Sequence, residues 1–350
     1  MNLYYDNIVY DLQNFGGIST YWYELTTRAL NNPEVNMRFY QTGLKKNNVL
    51  SKNLDLSTRQ VAVSKGNSRM IERFRTLDDW KFADKSIFHS SYFRVPVWDA
   101  KVKVVCTIHD FTHDLYFRGP RVWIHNFAKR RTIERSDAII TVSENTKSDL
   151  LKYFPKISAD RIHVIHNGVS EKFQVLEHLP VGLGLSLLYV GGRDNYKNFN
   201  FAVDLVQRFK EYTLNIVGSP LSSLERVYLE KNLPGRYTVY SHVSVEKLNI
   251  LYNQAACLLY PSSYEGFGIP LLEAMRAGCP FLALNGSSIP EVAGDAGYLL
   301  NKLDLDEGSM ALEEIINRRS LFSQRGFHQS SKFSWDTCYE QTYKLYSSLV

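Results

Sequence analysis

Two glutamates with seven residues between them, Glu265 and Glu273, are the side chains of this sequence whose setting most clearly indicates chemistry. A short apolar run at 256–260 precedes them and predicts a buried strand. Pro270 is suited to the first turn of a helix, where its missing N–H costs nothing, and good helix formers continue from it to Gly278 as a C-cap. The two carboxylates therefore flank a predicted junction of strand, loop and helix N-terminus.

The loop between these glutamates has the features of a phosphate site. Free backbone N–H groups and the helix dipole favour an anion at a helix N-terminus, and Gly266 and Gly268 let a ligand approach the backbone closely. Two carboxylates beside a phosphate are costly unless they accept hydrogen bonds from hydroxyl groups. A nucleotide sugar meets both requirements, with sugar hydroxyls at Glu265 and ribose hydroxyls at Glu273. The alternative is that Glu273 only complements the helix dipole and that Glu265 is a solvated loop residue.

The length and composition of the chain set broad limits on its class. A chain of 350 residues with 44% apolar content can bury two cores, so two domains are expected. No apolar run approaches the roughly 20 residues needed to cross a bilayer, and the polar first ten positions lack a signal-peptide core. We therefore expect a cytoplasmic protein.

The charge balance and the cysteines argue against several kinds of site. The excess of basic over acidic residues is 41 minus 36, or +5, which is too small and dispersed to indicate nucleic-acid binding. It suits phosphorylated substrates or an anionic membrane surface better. The four cysteines have neither the paired spacing of a zinc site nor that of a disulfide framework: Cys106, Cys257, Cys279 and Cys338. Three of them sit among apolar residues, so we expect reduced core residues.

Strand-like runs alternate with helical stretches in both halves of the chain. The first half has predicted strands at 37–41, 85–89, 102–108, 138–142 and 162–165, helices at 20–30 and 143–153, and an extended segment at 8–11. The second half has predicted strands at 185–190, 214–217 and 237–240 and helices at 199–209 and 245–253. Such alternation predicts an α/β fold with parallel sheets covered by helices. Because ligands of doubly wound sheets bind at the carboxyl ends of the strands, we expect the active site in a cleft between two such domains.

Several segments agree, in their order along the chain, with one enzyme family. They are Phe15-Gly16-Gly17-Ile18, Thr107-Ile108-His109-Asp110, 139–144, 164–169, Tyr189-Val190-Gly191-Gly192 and the stretch 260–300. Together they resemble the retaining nucleotide-sugar glycosyltransferases of the GT-B fold, and most closely family 4, which contains many mannosyltransferases of bacterial polysaccharide assembly. The resemblance covers nearly the whole chain. It implies two Rossmann-like, doubly wound domains facing a central cleft: an acceptor-side domain at 1–168, a nucleotide-sugar-binding domain at 169–333, and a helix at 334–350 that crosses back to the first domain.

The resemblance assigns a donor site residue by residue. In the family, an arginine and a lysine on the loop after the first strand of the second domain contact the diphosphate, and here Arg193 and Lys197 follow Gly192 on that loop. Arg193 is one residue nearer to Lys197 than the commonest family spacing. The rest of the implied donor site is the second loop with its helix start: Gly266, Phe267, Gly268, Ile269, Pro270 and Leu271. For the two cations, an exposed basic loop is the alternative.

Three residues of the first half are further candidates. Gly16 and Gly17 precede a predicted helix, and the resemblance favours their backbone as a contact for donor phosphate and acceptor, where the alternative is a simple turn. His109 ends a predicted strand, and the family has a histidine there that contacts the transferred sugar. A lone histidine is otherwise usually structural.

We expect no metal or other cofactor. Asp304-Leu305-Asp306 spells the metal-binding triplet of a different glycosyltransferase fold, but it precedes a predicted helix, where helix capping is the better interpretation. Lys197, Arg193 and the helix dipole at Pro270 already supply positive charge for a diphosphate.

The sequence thus predicts a metal-independent, retaining hexosyltransferase. Its donor is expected to be a nucleoside-diphosphate sugar, with GDP-mannose first and a UDP-hexose or UDP-N-acetylhexosamine second, and its acceptor a hydroxyl of a lipid-linked or growing glycan. The resemblance implies front-face attack in which the leaving diphosphate helps to deprotonate the acceptor. A nicotinamide-dependent oxidoreductase would need a Gly-x-Gly-x-x-Gly turn, and the sequence has none. A non-catalytic nucleotide-sugar-binding protein stays open as a different class of function.

A basic stretch of the first half has aromatic residues interleaved. The segment 118–131 reads as a helix and carries five basic residues, with Trp123 and Phe127 four positions apart on one face. That face either packs on the first domain's sheet or contacts an anionic membrane surface, where a lipid-linked acceptor is met. Membrane contact predicts weak, salt-sensitive vesicle binding that depends on the basic residues 129–131.

Overall fold

The computed structural model describes residues 1–13, 16–42, 48–54, 56, 60–64, 72, 77, 82–97, 99–177 and 185–350. The chain divides into two compact units. One comprises Met1–Asn167 with Trp335–Val350, and the other comprises Gly168–Ser334. Each of these limits lies one residue from the expected domain limit. Phe15 of the segment Phe15-Gly16-Gly17-Ile18 lies outside the described residues, and so do residues 178–184 of the expected second domain.

The first unit is built on a parallel sheet. Its described strands are β1 (Asn2–Asp6), β2 (Asn36–Thr42), β3 (Gln60–Ser64), β4 (Ser86–Ser90), β5 (Val102–Ile108), β6 (Ala138–Thr141) and β7 (Ile162–Val164). They lie in the order β3-β2-β1-β4-β5-β6-β7, and each described pair is parallel. β5 is buried along nearly its whole length, as a strand with helices on both faces of its sheet must be.

Helices connect these strands, because parallel neighbours need long crossovers. In the described residues they are α1 (Val9–Leu12), α2 (Gly17–Asn31), α3 (Thr112–Tyr116), α4 (Pro120–Arg135) and α5 (Glu144–Tyr153). α4 begins with Pro120 in its first turn, directly after Gly119 at a φ of +107°. The side chain of Ser143 caps α5 by accepting a hydrogen bond from the N–H of Thr146.

The second unit repeats this plan with six strands. They are β8 (Ser186–Val190), β9 (Thr213–Val217), β10 (Tyr237–Tyr240), β11 (Cys257–Tyr260), β12 (Phe281–Leu284) and β13 (Tyr298–Leu300), in the order β10-β9-β8-β11-β12-β13 with all pairs parallel. Its helices are α6 (Phe199–Arg208), α7 (Ser223–Asn232), α8 (Val245–Gln254), α9 (Ile269–Arg276), α10 (Ile289–Ala293), α11 (Leu305–Asn317) and α12 (Arg319–Ser330). Every residue of β11 is buried, which explains its unbroken apolar sequence.

The C-terminal helix α13 (Trp335–Leu349) belongs to the first unit and is anchored there by a buried polar network. The hydroxyl of Tyr346 lies 2.9 Å from that of Tyr5 and 2.5 Å from Nδ1 of His89. The other ring nitrogen of His89 lies 2.9 Å from Oγ1 of Thr107. Because both ring nitrogens are engaged and burial lowers the pKa of the ring, His89 is a neutral structural histidine.

The prediction of an extended segment at 8–11 is wrong. The strand is β1, which comes earlier, and Val9–Leu12 forms the short helix α1. The N–H of Val9 donates to Oγ of Ser91, which follows β4. A short apolar run can be a strand or a buried helical turn, and periodicity alone does not separate the two.

Two further predictions concern the cysteines and membrane spans. All four cysteines are free and buried, as expected. In the described part of the chain, no helix combines the length and the apolar character that a membrane span requires.

Candidate active site

Two loops of the second unit meet where its sheet reverses its winding. β8 lies between β9 and β11, so the chain leaves β8 and β11 toward opposite sides of the sheet. Ligands of doubly wound sheets bind in the crevice beyond the carboxyl ends of two such strands. The loop after β8 carries Lys197 and the loop after β11 carries Glu265, which are 68 positions apart in the chain. The topology thus brings two predicted site residues together.

An ion pair joins Lys197 to Glu265. Nζ of Lys197 lies 2.5 Å from Oε1 of Glu265, and the two side chains are 16% and 13% exposed. The hydroxyl of Tyr260 also hydrogen-bonds Glu265, and the ammonium lies 5.8 Å from the centre of the Tyr260 ring. A cation and a carboxylate are therefore held side by side at the carboxyl edge of the sheet, and each keeps an exposed fraction that a ligand can reach.

Two serines fix the backbone of Glu265. Its N–H donates to Oγ of Ser287 at 2.8 Å. Oγ of Ser288 lies 2.9 Å from the carbonyl oxygen of Glu265 and 3.0 Å from that of Phe267. Ser287 has a φ of +50°, an uncommon conformation for a residue with a side chain, and such strain persists where the surroundings over-determine it. Glu265 therefore sits on a loop whose main chain is fixed by its neighbours.

The helix after this loop begins as the sequence predicts. Gly268 caps α9 with a φ of +105°, which glycine adopts without strain, and Pro270 lies in the first turn. The ring of Phe267 is 4% exposed and packs edge-on against Phe333, with 5.8 Å between ring centres. This packing anchors the loop on the segment after α12. At the start of α9 the free N–H groups and the positive end of the dipole favour an anion.

The predicted donor residues around this helix start differ in their burial. Gly266, Ile269 and Pro270 are half-buried and line the start of α9. Leu271 is fully buried, and its N–H donates to the carbonyl oxygen of Gly268 at 3.0 Å. The side chain of Leu271 therefore belongs to the core under the site.

Glu273 lies in the second turn of α9 and is half-buried. The hydroxyl of Tyr252, in α8, donates a hydrogen bond to its Oε2 at 2.9 Å. Burial raises the pKa of Glu273 to about 7, although that hydrogen bond opposes the shift. The carboxylate is thus only partly ionised near neutral pH, and donors from a ligand would favour its charged form.

The loop after β8 is shaped by close backbone packing. The hydroxyl of Tyr189 donates to the carbonyl oxygen of Gly192 at 2.7 Å. Gly191 has a φ of +134°, and its N–H donates to the carbonyl oxygen of Val217 at 2.9 Å. A side chain on Gly218 would come within 2.5 Å of the carbonyl oxygen of Gly191. The ends of β8 and β9 therefore pack backbone to backbone, with no side chain between Gly191 and Gly218.

Arg193, predicted as the second phosphate ligand, is engaged by protein groups. Its Nε lies 2.7 Å from Oε1 of Glu225, and its side chain is 4% exposed. One terminal nitrogen donates to the carbonyl oxygens of Ser219 and Pro220, both at 2.9 Å. Burial by itself raises the pKa of Glu225, but hydrogen bonds from Arg193 and from Ser222 outweigh burial and lower the pKa to about 2. The other terminal nitrogen of Arg193 has no hydrogen-bond partner in the described part of the chain.

We expect Arg193→Ala to lower the free energy of unfolding by about 2 kcal/mol, because Glu225 and two carbonyl oxygens lose their donor. Urea unfolding measures the change. Arg208→Ala is the matched control. The side chain of Arg208 is 40% exposed and that of its partner Asp306 is 86% exposed, so their ion pair contributes little to stability. Equal stabilities of the two variants would contradict a structural role for Arg193.

The predicted residues of the first unit lie around the start of α2. Gly16 is the N-cap of this helix and Gly17 its first residue. Oγ of Ser19 donates to the carbonyl oxygen of Gly16 at 2.9 Å. His109 follows β5, and its ring packs edge-on against Tyr21, with 5.0 Å between ring centres. The fold thus brings His109 to the first turns of the helix that the two glycines open.

His109 is a neutral ring with an unused nitrogen. Burial lowers its pKa to about 4, against the opposing charge of Asp110. Its Nε2 is buried and has no hydrogen-bond partner among the described residues. Buried polar atoms are rarely left unpaired, so a neutral imidazole nitrogen here suits a ligand hydroxyl.

The Asp304-Leu305-Asp306 triplet caps a helix, as predicted. Asp304 is the N-cap of α11, and its side chain accepts hydrogen bonds from the N–H groups of Asp306 and Glu307, both at 3.0 Å. Asp306 pairs with Arg208 at 2.6 Å. Elsewhere in the described residues, no group of three or more His, Cys, Asp or Glu side chains is placed to hold a metal ion.

Four supporting residues were not identified from the sequence. They are Tyr252, Glu225, Ser287 and Ser288, each on a different element from the residue that it holds. Ser288 directly precedes the Ile289-Pro290-Glu291 segment, and that position was the one available signal.

Two family models match consecutive parts of the chain. "Glycosyltransferase Family 4" matches residues 15–173, and "Glycosyl transferases group 1" matches residues 184–325. The second match includes the ion pair and the start of α9.

Similar proteins extend these matches. The chain is 28% identical over 309 residues to O-antigen chain mannosyltransferase B of Escherichia coli, covering 80% of each chain. Sucrose-phosphate synthase from Thermosynechococcus elongatus has a TM-score of 0.78 at 16% identity, over 100% of this chain and 99% of its own. Anabaena HepE, solved in complex with UDP-glucose, has a TM-score of 0.76 at 14% identity, over 99% of this chain and 100% of its own. At these identities the two structures show a shared fold.

Proposed function

This chain belongs to the GT-B glycosyltransferases of group 1 and family 4, as the sequence predicted, and we propose that it transfers a hexose from a nucleoside-diphosphate sugar to a hydroxyl of a lipid-linked or growing glycan. The transfer retains the anomeric configuration and serves cell-surface polysaccharide synthesis. One observation carries the proposal: the ion pair of Lys197 with Glu265 lies beside the start of α9, and Glu273 follows in the next turn. A cation, a helix dipole and two carboxylates in one place suit a diphosphate with a polyol on either side.

Each of these groups has one role in the proposed reaction. Lys197 and the N–H groups at the start of α9 hold the diphosphate and neutralise the charge that develops as the bond to the anomeric carbon breaks. Glu265 accepts hydrogen bonds from the transferred sugar, and Glu273 accepts them from the ribose. The acceptor oxygen bonds to the anomeric carbon on the face that the diphosphate leaves, and the diphosphate takes the acceptor's proton. No metal takes part.

Residues of the first unit complete the proposal. His109 hydrogen-bonds the transferred sugar, which agrees with its buried, unpaired Nε2. The turn at Gly16 and Gly17 contacts phosphate and acceptor through its backbone.

GDP-mannose is the first candidate donor, because the E. coli relative carries the name of a mannosyltransferase. A UDP-hexose is the second, because HepE was solved with UDP-glucose. A thermal-shift screen of GDP-, UDP- and ADP-sugars separates them, since a ligand that binds only the folded state raises its stability. Release of nucleoside diphosphate on mixing donor with acceptor then tests turnover. A thermal shift without such release would indicate a binding protein, and no shift with any donor would contradict the proposal.

We further propose that the protein works in the cytoplasm, at the inner face of the membrane that carries its acceptor. The contact surface is an aromatic pair on α4. Trp123 is 70% exposed and Phe127 is 50% exposed, and their rings stack with 5.9 Å between centres. With Arg130, which is 58% exposed, they line an open pocket. Exposed aromatic rings beside a cation suit the headgroup region of an anionic membrane.

The sequence-based expectation that Lys129 contributes to this contact is wrong. Its side chain is 1% exposed and pairs with Asp114. Its ammonium lies 4.2 Å from the centre of the Phe111 ring. Lys129 therefore ties α4 to α3 and cannot reach lipid. Arg130 is exposed; its guanidinium lies 4.9 Å from the centre of the Phe154 ring and forms a long ion pair with Glu134, at 3.6 Å.

Combining Trp123→Ser with Arg130→Gln is expected to weaken binding to phosphatidylglycerol vesicles about tenfold at low ionic strength, because one aromatic anchor and one cation are lost. Co-sedimentation measures the binding. Leu224→Ser with Val227→Ser is the matched control, since these side chains are 84% and 67% exposed on α7 of the other unit. Failure of the unmodified protein to bind vesicles in low salt would indicate a soluble acceptor.

A further inference from the structure

We propose that Tyr252 is a positioning residue for the donor, which orients Glu273 so that one carboxylate oxygen stays free for the ribose hydroxyls. The inference rests on the proposed function, because it requires a nucleotide at the start of α9. Tyr252 itself acts through Glu273 and does not contact the ligand. Tyr252 lies on α8 and Glu273 lies on α9. The residue that holds Glu273 therefore comes from outside the segment that contains the two glutamates.

The ring of Tyr252 is locked in the core. Its exposed fraction is 0%, and it packs edge-on against Phe173 with 5.8 Å between ring centres. Its hydroxyl reaches Oε2 of Glu273 at 2.9 Å. A phenol held by packing is a rigid donor, so it fixes the carboxylate that accepts from it.

The hydrogen bond leaves one oxygen of Glu273 available. Oε1 accepts no hydrogen bond from the described side chains, and the residue is only half-buried. The terminal torsion of a glutamate is broad, so an unsupported carboxylate would sample many orientations. With Oε2 held by Tyr252, the carboxylate is already oriented when the ribose arrives, and less freedom is lost on binding.

Tyr252 also favours the ionised form of Glu273. Its hydrogen bond lowers the pKa of this carboxyl against the larger effect of burial, which raises the pKa to about 7. The neighbouring titratable groups stay neutral at this pH: burial raises the pKa of Cys279 to about 12 and the pKa values of Tyr252 and Tyr260 well above the ordinary range. Glu273 is therefore the group of this set that titrates near neutral pH. Removing the phenol hydroxyl would raise its pKa further and leave more of the carboxyl protonated.

The experiment compares nucleotides with and without ribose hydroxyls. GDP and UDP are titrated calorimetrically into the whole protein, each beside its 2′,3′-dideoxy form, for the unmodified chain and Tyr252→Phe. Tyr228→Phe is the matched control, because it also removes a tyrosine–carboxylate hydrogen bond, to Asp204 at 2.5 Å, in the same unit. We expect the unmodified chain and the control to bind the ribose form about tenfold more tightly than the dideoxy form, and Tyr252→Phe to narrow this ratio to about twofold.

The pH dependence separates positioning from a packing defect. The ratio of affinities for the ribose and dideoxy forms, in which titration of the shared terminal phosphate cancels, should fall as pH falls through the pKa of Glu273. In Tyr252→Phe this fall should begin at higher pH. Glu273→Gln, which cannot titrate, should remove the dependence while keeping the bond from Tyr252, so it tests the assignment if Tyr252→Phe does not fold. If Tyr252→Phe leaves unchanged both the preference for the ribose form over the dideoxy form and the midpoint of its pH dependence, the role of Tyr252 is overturned. The proposed function is not affected by that result. If the unmodified chain binds neither nucleotide and no ADP-sugar raises its thermal stability, the proposed function is overturned together with the role of Tyr252.

Discussion

Replacing Lys197 by alanine is expected to lower the turnover number about a hundredfold. Loss of one charged donor at the place where negative charge develops in a transition state typically has an effect of about this size. In this protein the Lys197 side chain is 16% exposed and its ammonium is held 2.5 Å from Glu265, so the charge is already in place before the donor binds. Lys197→Ala also leaves Glu265 without its cation, which adds to the loss.

Turnover is measured as release of nucleoside diphosphate from the donor found by the thermal-shift screen. Lys172→Ala is the matched control, because its ion pair with Glu246 lies in the same unit at 3.2 Å, with both side chains about two thirds exposed (66% and 65%). Such a surface pair contributes little, so the control should keep full activity. Similar activities of the two variants would remove Lys197 from the diphosphate site.

The same argument predicts that EDTA leaves the activity intact. The positive charge required by a diphosphate comes from Lys197 and the start of α9, so a divalent ion is not needed. The Asp304 and Asp306 carboxylates are already used, one by backbone N–H groups and the other by Arg208. Activity lost in EDTA and restored by manganese would contradict this role for Lys197.

The parts of the site that could be predicted are those determined within a few residues. Gly268 and Pro270 dictate the conformation of their own backbone, so the sequence was enough to predict a helix start there and to see that Glu265 and Glu273 flank it. The hydrogen bond from Tyr252 to Glu273 joins two helices across 21 positions. No local pattern signals such a contact, because it depends on how α8 packs against α9.

Two basic residues illustrate the same limit. Arg193 has the loop position expected of a phosphate ligand, but its partner Glu225 lies 32 positions later, at the start of α7. Lys129 has the pattern of a solvated helix residue, but Asp114, 15 positions earlier, draws it into the interior. The spacing of charged residues in the sequence predicts which of them share a face of a helix. Whether that face is exposed depends on the elements that pack against it.

For the fold, unbroken apolar runs were the signal that found two central strands. The strands predicted at 102–108 and 138–142 correspond to β5 and β6, whose buried residues form near-continuous apolar runs. β3 was not predicted from the sequence. It lies at the edge of its sheet, and Val63 on it is 59% exposed, so it lacks such a run.

The two glutamates should separate binding from chemistry. Glu273→Ala is expected to raise the donor KM about tenfold with little change in the turnover number, because contacts to ribose are alike in the ground state and the transition state. Glu265→Gln is expected to lower the turnover number by more than about tenfold, because hydrogen bonds to the sugar ring strengthen as charge develops on it. Both parameters come from initial rates of nucleoside diphosphate release over a range of donor concentrations.

The structure explains why Glu265 should have the larger effect on chemistry. Its backbone is fixed by Ser287 and Ser288, and its carboxylate is fixed by Lys197, so it needs no rearrangement as the transition state forms. Glu246→Gln is the matched control, since this glutamate also pairs with a lysine but is 65% exposed. If neither site variant falls tenfold below the control in kcat/KM, the glutamates are not the donor ligands. If Glu273→Ala lowers the turnover number and leaves KM unchanged, its assignment to the ribose is wrong.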